Sequence, residues 1–414
     1  MIRRLQIQDF FVFFFGAFCF ALPFSVYVIS VSMFGMAACS IFEDHATGIR
    51  LNRSWPQSMK RLWENQAGIY SIAFYLLIAL SILWSTENAF WLHHLRLLAP
   101  MVVIPLVFAV HGRLKIFHLR WVIGLSILSM VIQLTIVLVS YYADFEIINH
   151  NILKGKPIPT PISHIRFSLI LAGDLLVLIF LLLERRWTKY RWEAWLYAAI
   201  VIYFFIGLHI LSVKSGLAGF YLGLMALAVI YLFRHKKLHW LYWIMPSLFG
   251  LFFFMVFLTP SLYNKYLHFI WQMGEWTRGK YHWYSDIERW QSISFGWEII
   301  MRHPLLGTGI GDLPGAMASV YQEKIQSTEV KYPHNQFVFT WAAAGLPALF
   351  SLMMMMYYSL LKNFFQRNTL TAALGVMIWF SLMVEHGLET AAGIGIFQWM
   401  LVLQNELRGS ESET

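Results

Sequence analysis

Apolar residues in this chain come in long, nearly unbroken runs separated by short polar breaks, rather than in one-sided stripes. A run of roughly 20 such residues is what a helix needs to cross a bilayer. Twelve runs meet that description, near 10–24, 26–42, 67–84, 93–110, 121–142, 164–184, 194–211, 216–233, 241–259, 336–361, 371–388 and 392–407. Only Pro23 and a short turn part the first two, and their joint run is too long for a signal-peptide core, so it is expected to be retained. The pattern predicts an all-α polytopic membrane protein in three parts. Residues 1–259 hold nine helices, 260–335 form one large extramembrane loop, and 336–414 hold three more helices and a short tail.

Composition agrees with the pattern. Hydrophobic residues make up 58% of the chain, aromatic residues 17%, and charged residues 13%, about half the usual share in a soluble domain. No single globular core hides that much apolar surface, which excludes a soluble enzyme, a disordered chain and a disulfide scaffold. Cys19 and Cys39 both sit in apolar runs and read as free thiols. The net charge of +9 does not point to nucleic acid, because no basic run is interleaved with polar residues and membrane proteins collect Lys and Arg in cytoplasmic loops.

Those basic residues set an orientation. With the N-terminus in the cytoplasm, 19 of the 31 fall on the cytoplasmic side and 12 opposite, seven of these in the 260–335 loop. Among short loops the balance is 19 to 5, so both termini are expected inside and the large loop outside. That loop also carries seven acidic residues, so an anion there must be held by particular cations and not by a general positive field.

Three outer cations, Arg96, Arg166 and Lys214, each lie within a few residues of an apolar helix end. Any one of them alone reads as a side chain snorkelling to the interface. Together with Arg289 in the loop they are candidates to converge on a phosphate or diphosphate, which Arg and Lys clamp well. Within the loop, Ser285-Asp286-Ile287-Glu288 has capping-box spacing, and Ile287, Trp290, Ile293, Trp297 and Ile300 continue it as an amphipathic helix expected to lie over the membrane. His334 stands where the loop re-enters the membrane beside a helix start and is the candidate base; His268, His282 and His303 are read as structural. Gly307–Asp312 reads as turn glycines, since no strand precedes it. Asp174 and Glu385 fall inside predicted spans, where acids are functional candidates or cross-helix partners. No H-E-x-x-H and no paired-Asp motif occurs, so no metal and no cofactor is expected.

These stretches resemble the O-antigen ligase superfamily. The resemblance rests on Ser212-Val213-Lys214-Ser215-Gly216, on Arg289-Trp290 with Trp297, on His303-Pro304 with the Gly307–Asp312 turn, and on His334-Asn335 running to Gly345. It covers the chain from about residue 90 onward. Two positions depart from the family pattern: Lys214 stands where Arg is usual, and Ala348 where a second Gly closes the His-Asn motif. The resemblance implies a glycosyltransferase-C-like fold in the bacterial inner membrane, with its site facing the periplasm. It implies a polysaccharide moved from undecaprenyl diphosphate to lipid A-core oligosaccharide without a metal. Arg289 with Lys214, and Arg96 and Arg166 as further candidates, then bind the diphosphate, and His334 takes the acceptor proton.

An O-antigen polymerase or a protein O-oligosaccharyltransferase would use the same donor. A transporter of lipid-linked sugars is the alternative of another class; internal repeats would favour it, and none is found. The 19-to-5 loop balance gives a first test. Reporters fused at residues 55, 188 and the C-terminus should all read cytoplasmic, and one near 320 periplasmic. A periplasmic C-terminus would overturn the orientation.

Overall fold

The computed structural model describes residues 6–45, 48–184, 190–278, 285–362, 366 and 368–410. Arg3, Arg4, Arg185, Arg186, Lys189 and Arg367 of the charge balance, and Lys280 and His282 of the large loop, lie outside the described residues. The first half holds α1 (Ile7–Ala21), α2 (Val26–Ile41), the antiparallel hairpin β1 (Phe42–His45) and β2 (Gly48–Leu51), then α3 (Trp55–Glu64), α4 (Gln66–Leu80), α5 (Asn88–Leu98), α6 (Pro100–His111), α7 (Ile116–Ala143), α8 (Phe145–Leu153) and α9 (His164–Leu183). The second half holds α10 (Arg191–Leu211), α11 (Lys214–Arg234), α12 (Leu241–Leu258), α13 (Pro260–Thr277), α14 (Ser285–Arg302), α15 (Leu313–Ile325), α16 (Gln336–Met356), α17 (Thr369–Val384) and α18 (Ala391–Ser410).

Among the described residues, eight helical stretches are long and apolar enough to cross a membrane. Four shorter apolar helices, α1, α2, α17 and Ala391–Leu403 of α18, match the remaining expected segments. The protein is an all-α polytopic membrane protein. Three segments differ in detail. The fourth is two helices, α5 and α6, which meet at Ala99–Pro100, where proline cannot continue the hydrogen-bond ladder. The fifth, α7, starts at Ile116 and runs 28 residues. The eleventh ends at Val384, so Glu385 lies in the turn beyond the helix and not within the span. Asp174 does remain inside α9, where Ser126 Oγ donates to it at 3.1 Å.

Helix α9 is the axis, with 89% of its span buried. Helix α11 approaches it and α17 through Gly216, Gly219 and Gly223, spaced three and four residues apart on one face. Gly216 rests on Ser168, Gly219 on Met377, and Gly223 between Leu176 and the Ala373 carbonyl. Small residues let backbones come close where burial from water supplies no drive between helices.

The large loop packs onto the end of the bundle. Helix α14 turns Ser292, Gly296, Ile299 and Ile300 inward, with Gly296 against Pro333 and Val338, and leaves Trp290 (74% exposed) and Trp297 (49%) outside. Of the expected apolar stripe only Ile300 is fully buried, while Trp290 and Trp297 face outward; the small Ser292 and Gly296 meet the chain at Pro333–His334. The helix does start at Ser285, but the Ser285 side chain lies outside the described residues. The Gly307–Asp312 stretch is a turn, as expected. Gly307 and Gly309 have positive φ (67° and 86°), and the Asp312 carboxylate accepts from Thr86 N (2.9 Å), Thr86 Oγ1 (3.0 Å) and Glu87 N (2.9 Å). This pins the loop to the end of the bundle that also holds Arg289 and His334. At the opposite end, Arg61 Nη1 donates to the carbonyls of Ala109 and Val110.

Helix α16 breaks at Gly345 (φ 75°, ψ −170°), a conformation open essentially to glycine alone. The Leu305 carbonyl fills the break and accepts from Leu346 N at 3.0 Å. A Cβ at Gly345 would overlap Leu305 and Leu306. Gly345→Ala should therefore destabilise by about 3 kcal/mol or more, read as a fall of several degrees in thermal midpoint. The control is Gly250→Ala in α12, where a Cβ meets nothing within 4 Å; it should be neutral or gain about 0.5–1 kcal/mol. Equal midpoints for the two variants would contradict the packing of the loop into α16.

Candidate active site

Five helices and two turns bring titratable side chains together at one end of the bundle. The turn between α17 and α18 supplies Glu385, which is 4% exposed. Its Oε2 lies 3.4 Å from Arg289 Nη2, and its Oε1 lies 3.5 Å from His386 Nδ1 and 4.0 Å from His334 Nε2. The chain before α16 is fixed by Asn335. Its Oδ1 accepts from Phe337 N (2.9 Å) and Val338 N (3.0 Å), capping the helix, while its Nδ2 donates to the Met383 carbonyl (2.9 Å). That second bond holds His334 beside the turn bearing Glu385. Gln336 extends the tie: its Nε2 donates to Glu389 Oε1 (2.8 Å) and its Oε1 accepts from Leu388 N (2.9 Å). Glu389 also pairs with His94 of α5.

His334 is oriented by Ser292. The Ser292 hydroxyl donates to the Arg289 carbonyl at 2.8 Å and accepts from His334 N at 3.2 Å; His334 Nδ1 lies 3.1 Å from the same oxygen. With its one proton directed at Arg289, Ser292 accepts from the imidazole, which places the ring proton on Nδ1 and leaves Nε2 bare. Burial pushes the His334 pKa down to about 4, against the opposing pull of Glu385. The ring is thus neutral at physiological pH, with a basic nitrogen facing the cluster and a carboxylate placed to stabilise the imidazolium.

Beside this cluster is a cavity of about 190 Å³ lined by Lys214, Lys265, Arg289, His164 and His268 and, among the described residues, by no carboxylate. Ser212 and Ser215 line it too, and their buried hydroxyls meet no hydrogen-bond partner. Ser212 is left-handed (φ 50°) and breaks the chain between α10 and α11, which sets Lys214 at the first position of α11. Lys214 Nζ stands 4.7 Å from the Phe269 ring centroid, and Lys265 Nζ donates to the Gly155 carbonyl at 3.3 Å. Clustered cations with hydroxyl donors and, among the described residues, no acid have the chemistry to suit an anion.

Of the residues singled out from sequence, Arg289, Lys214 and His334 therefore meet. Arg166 is buried beneath the cluster, donating to the His386 carbonyl at 3.4 Å, and does not line the cavity. Arg96 is left out: it is exposed, and two residues earlier on α5 it is His94, on the other face, that is buried at the cluster. His268, read as structural, lines the cavity. Glu385 was a candidate only as an acid inside a span, and His386, Lys265, His164 and Ser292 went unrecognised. The polar interruption Glu385-His386-Gly387 between the last two apolar runs was the available signal for Glu385 and His386.

The family comparison falls on these same elements. Residues 198–353 match a family model described as O-antigen ligase. The chain carries a domain of the O-antigen ligase family. Comparison with curated proteins gives no match. The O-antigen ligase domain contains Lys214, Lys265, Arg289, Ser292 and His334, whereas His94, Arg166, Glu385 and Glu389 are contributed from outside the matched stretch.

His334, Glu385 and His386 also place one ligand atom each within 4.8 Å of one another, a spacing suited to a metal ion. Arg289 already presents a cation to the same carboxylate, and Ser292 engages Nδ1 of His334. The arrangement generates a direct test. In ¹⁵N-histidine spectra, with the resonance assigned by its loss in His334→Gln, His334 should be the Nδ1–H tautomer and protonate near pH 4. Glu385→Gln removes the pull that opposes burial, so the midpoint should move lower still. A midpoint near 6.5 in the unsubstituted protein would contradict the burial and geometry of the ring.

Proposed function

We propose that the protein transfers a polysaccharide from undecaprenyl diphosphate to lipid A-core oligosaccharide at the periplasmic face of the bacterial inner membrane. The observation that carries this reading is the carboxylate-free cavity of Lys214, Lys265 and Arg289 set beside a neutral histidine with a bare Nε2. Family membership supports ligase- or polymerase-type chemistry.

In this reading the diphosphate sits among Lys214, Lys265 and Arg289. The acceptor hydroxyl attacks the anomeric carbon, the sugar–phosphate bond breaks, and the electron pair leaves on the diphosphate. Fixed cations stabilise that developing charge without reorganising. The hydroxyl proton passes to His334 Nε2, and Glu385 at 4.0 Å stabilises the imidazolium. A base held near pKa 4 is weak, but a bound diphosphate adds negative charge and raises it. Arg289 has two duties, one toward the diphosphate and one toward Glu385. Its removal leaves a buried carboxylate without its cation, which destabilises the protein as well as the transition state.

The variants separate these duties. His334→Ala should retain donor lipid and lose about two to four orders of magnitude in turnover per folded molecule. Arg289→Ala should lower both stability and turnover; adding Glu385→Gln should restore stability and not turnover. Arg289→Lys should stay poor, since a point charge does not span two phosphate oxygens, while Lys214→Arg should be tolerated. Chelators should leave the rate unchanged. Near-normal transfer by His334→Ala, measured with purified protein, lipid-linked glycan and lipid A-core, would sink the reading.

A further inference from the structure

A second concavity opens at the same end of the bundle, and its chemistry is unlike that of the cation-lined cavity. It is a groove of about 820 Å³ between Trp84–Glu87 on one side and His303–Leu306 on the other, with Gly315 and Ala316 of α15 along its edge. No Lys or Arg lines it. Its polar groups are Thr86, Glu87, His303 and Thr308; its apolar surface comes from Trp84, Pro304 and two leucines, Leu305 (67% exposed) and Leu306 (52%).

The walls are fixed before any ligand arrives. Asp312 is fully engaged with Thr86 and Glu87, Thr308 N donates to the Ala342 carbonyl at 2.9 Å, and Trp341 Nε1 donates to the Pro304 carbonyl at 2.8 Å. A preformed site of this size, mostly apolar with a few placed polar groups, suits a ligand with flat C–H faces and a hydroxyl rim. That is a sugar chain. The lack of cations disfavours phosphate here, and the acidic Glu87 accepts hydroxyl donors instead. The groove begins at His303, directly after α14, whose residues Arg289 and Ser292 belong to the catalytic cluster. From Ser292 to Arg302 the helix rises about 15 Å, a span of the order of a few sugar units.

We infer that this groove is a carbohydrate subsite taking the uncharged sugar chain of a lipid-anchored glycan, with its phosphate end in the Lys214–Arg289 cavity or its reacting hydroxyl at His334. The inference rests on the glycosyl-transfer reading above. The chain bound there belongs either to the donor glycan or to the sugar head of the acceptor, and the two sources share one chemistry.

Gly315 supplies the test. A Cβ added there meets nothing within 4 Å, and the backbone needs no glycine, so Gly315→Trp fills the groove without disturbing the helix. The whole protein in nanodiscs, wild type and Gly315→Trp, is given donors with one or several sugars and acceptors with short or long sugar heads. The variant should keep the wild-type thermal midpoint and the wild-type rate on the short pair. It should lose at least tenfold in kcat/KM with the long donor if the groove holds the donor chain, or with the long acceptor if it holds the acceptor head. Equal rates on every pair, or a loss equal on short and long, overturns the subsite. A wild type idle on every pair sinks the glycosyl-transfer reading instead. In that case the groove is decided by capture on an array of neutral and N-acetylated tetrasaccharides: binding by wild type that Gly315→Trp abolishes upholds it, and no binding overturns it.

Discussion

The candidate site depends on one buried carboxylate. Glu385 is 4% exposed at the end of a membrane bundle, and burying its charge is unfavourable unless partners compensate. Arg289 from α14, His386 from its own turn and His334 from the start of α16 all gather on it. Arg289 supplies the compensating cation, and the two imidazoles lie within 4.0 Å of the same carboxylate, so groups from separate parts of the chain share one centre. The cation needed for an anionic substrate and the base needed for a hydroxyl are then neighbours of the same group. Arg289 lines the cavity while its Nη2 pairs with Glu385, which does not line it.

Close helix packing supplies the frame. The glycine face of α11 lets that helix sit tightly on α9 and α17, and its first residue, Lys214, is delivered to the cavity by the left-handed break at Ser212. The Gly345 break in α16 serves the loop in the same way, by admitting the Leu305 carbonyl. The result is a division of this end of the bundle by charge. Phosphate chemistry fits the cation-lined cavity, and the cation-free groove under α15 fits uncharged sugar. Helix α14 contributes Arg289 to the cavity, and the chain directly after it, from His303, lines the groove.

Much of the fold was legible in the sequence because a membrane span is a local property, written in one run of apolar residues. The loop's Arg289, the outer Lys214 and the re-entrant His334 were legible for a related reason: polar groups are conspicuous near apolar segments. What was not legible depends on which face of a helix turns inward or on contacts far along the chain. Arg96 and His94 differ by two positions and face opposite ways, and charge alone favoured the wrong one. The stripe from Ile287 to Ile300 was the visible pattern in α14, yet the side that meets Pro333 at close range carries Ser292 and Gly296. Glu385 was absorbed into a hydropathy window that ended four residues too late. Its partner Arg289 is 96 residues away, beyond the reach of any local pattern. Lys265 was one of seven loop cations with nothing to distinguish it until α13 folded back over Gly155.

The central claim is that the diphosphate of a polyprenyl-linked donor is seated by Lys214, Lys265 and Arg289. A cryo-EM structure of the protein with undecaprenyl diphosphate tests it most directly. The account predicts diphosphate density within hydrogen-bonding reach of these three side chains, with His334 Nε2 open toward the adjoining space. Density at the opposite end of the bundle, in the cavity bordered by Arg61 and Arg113, would contradict it.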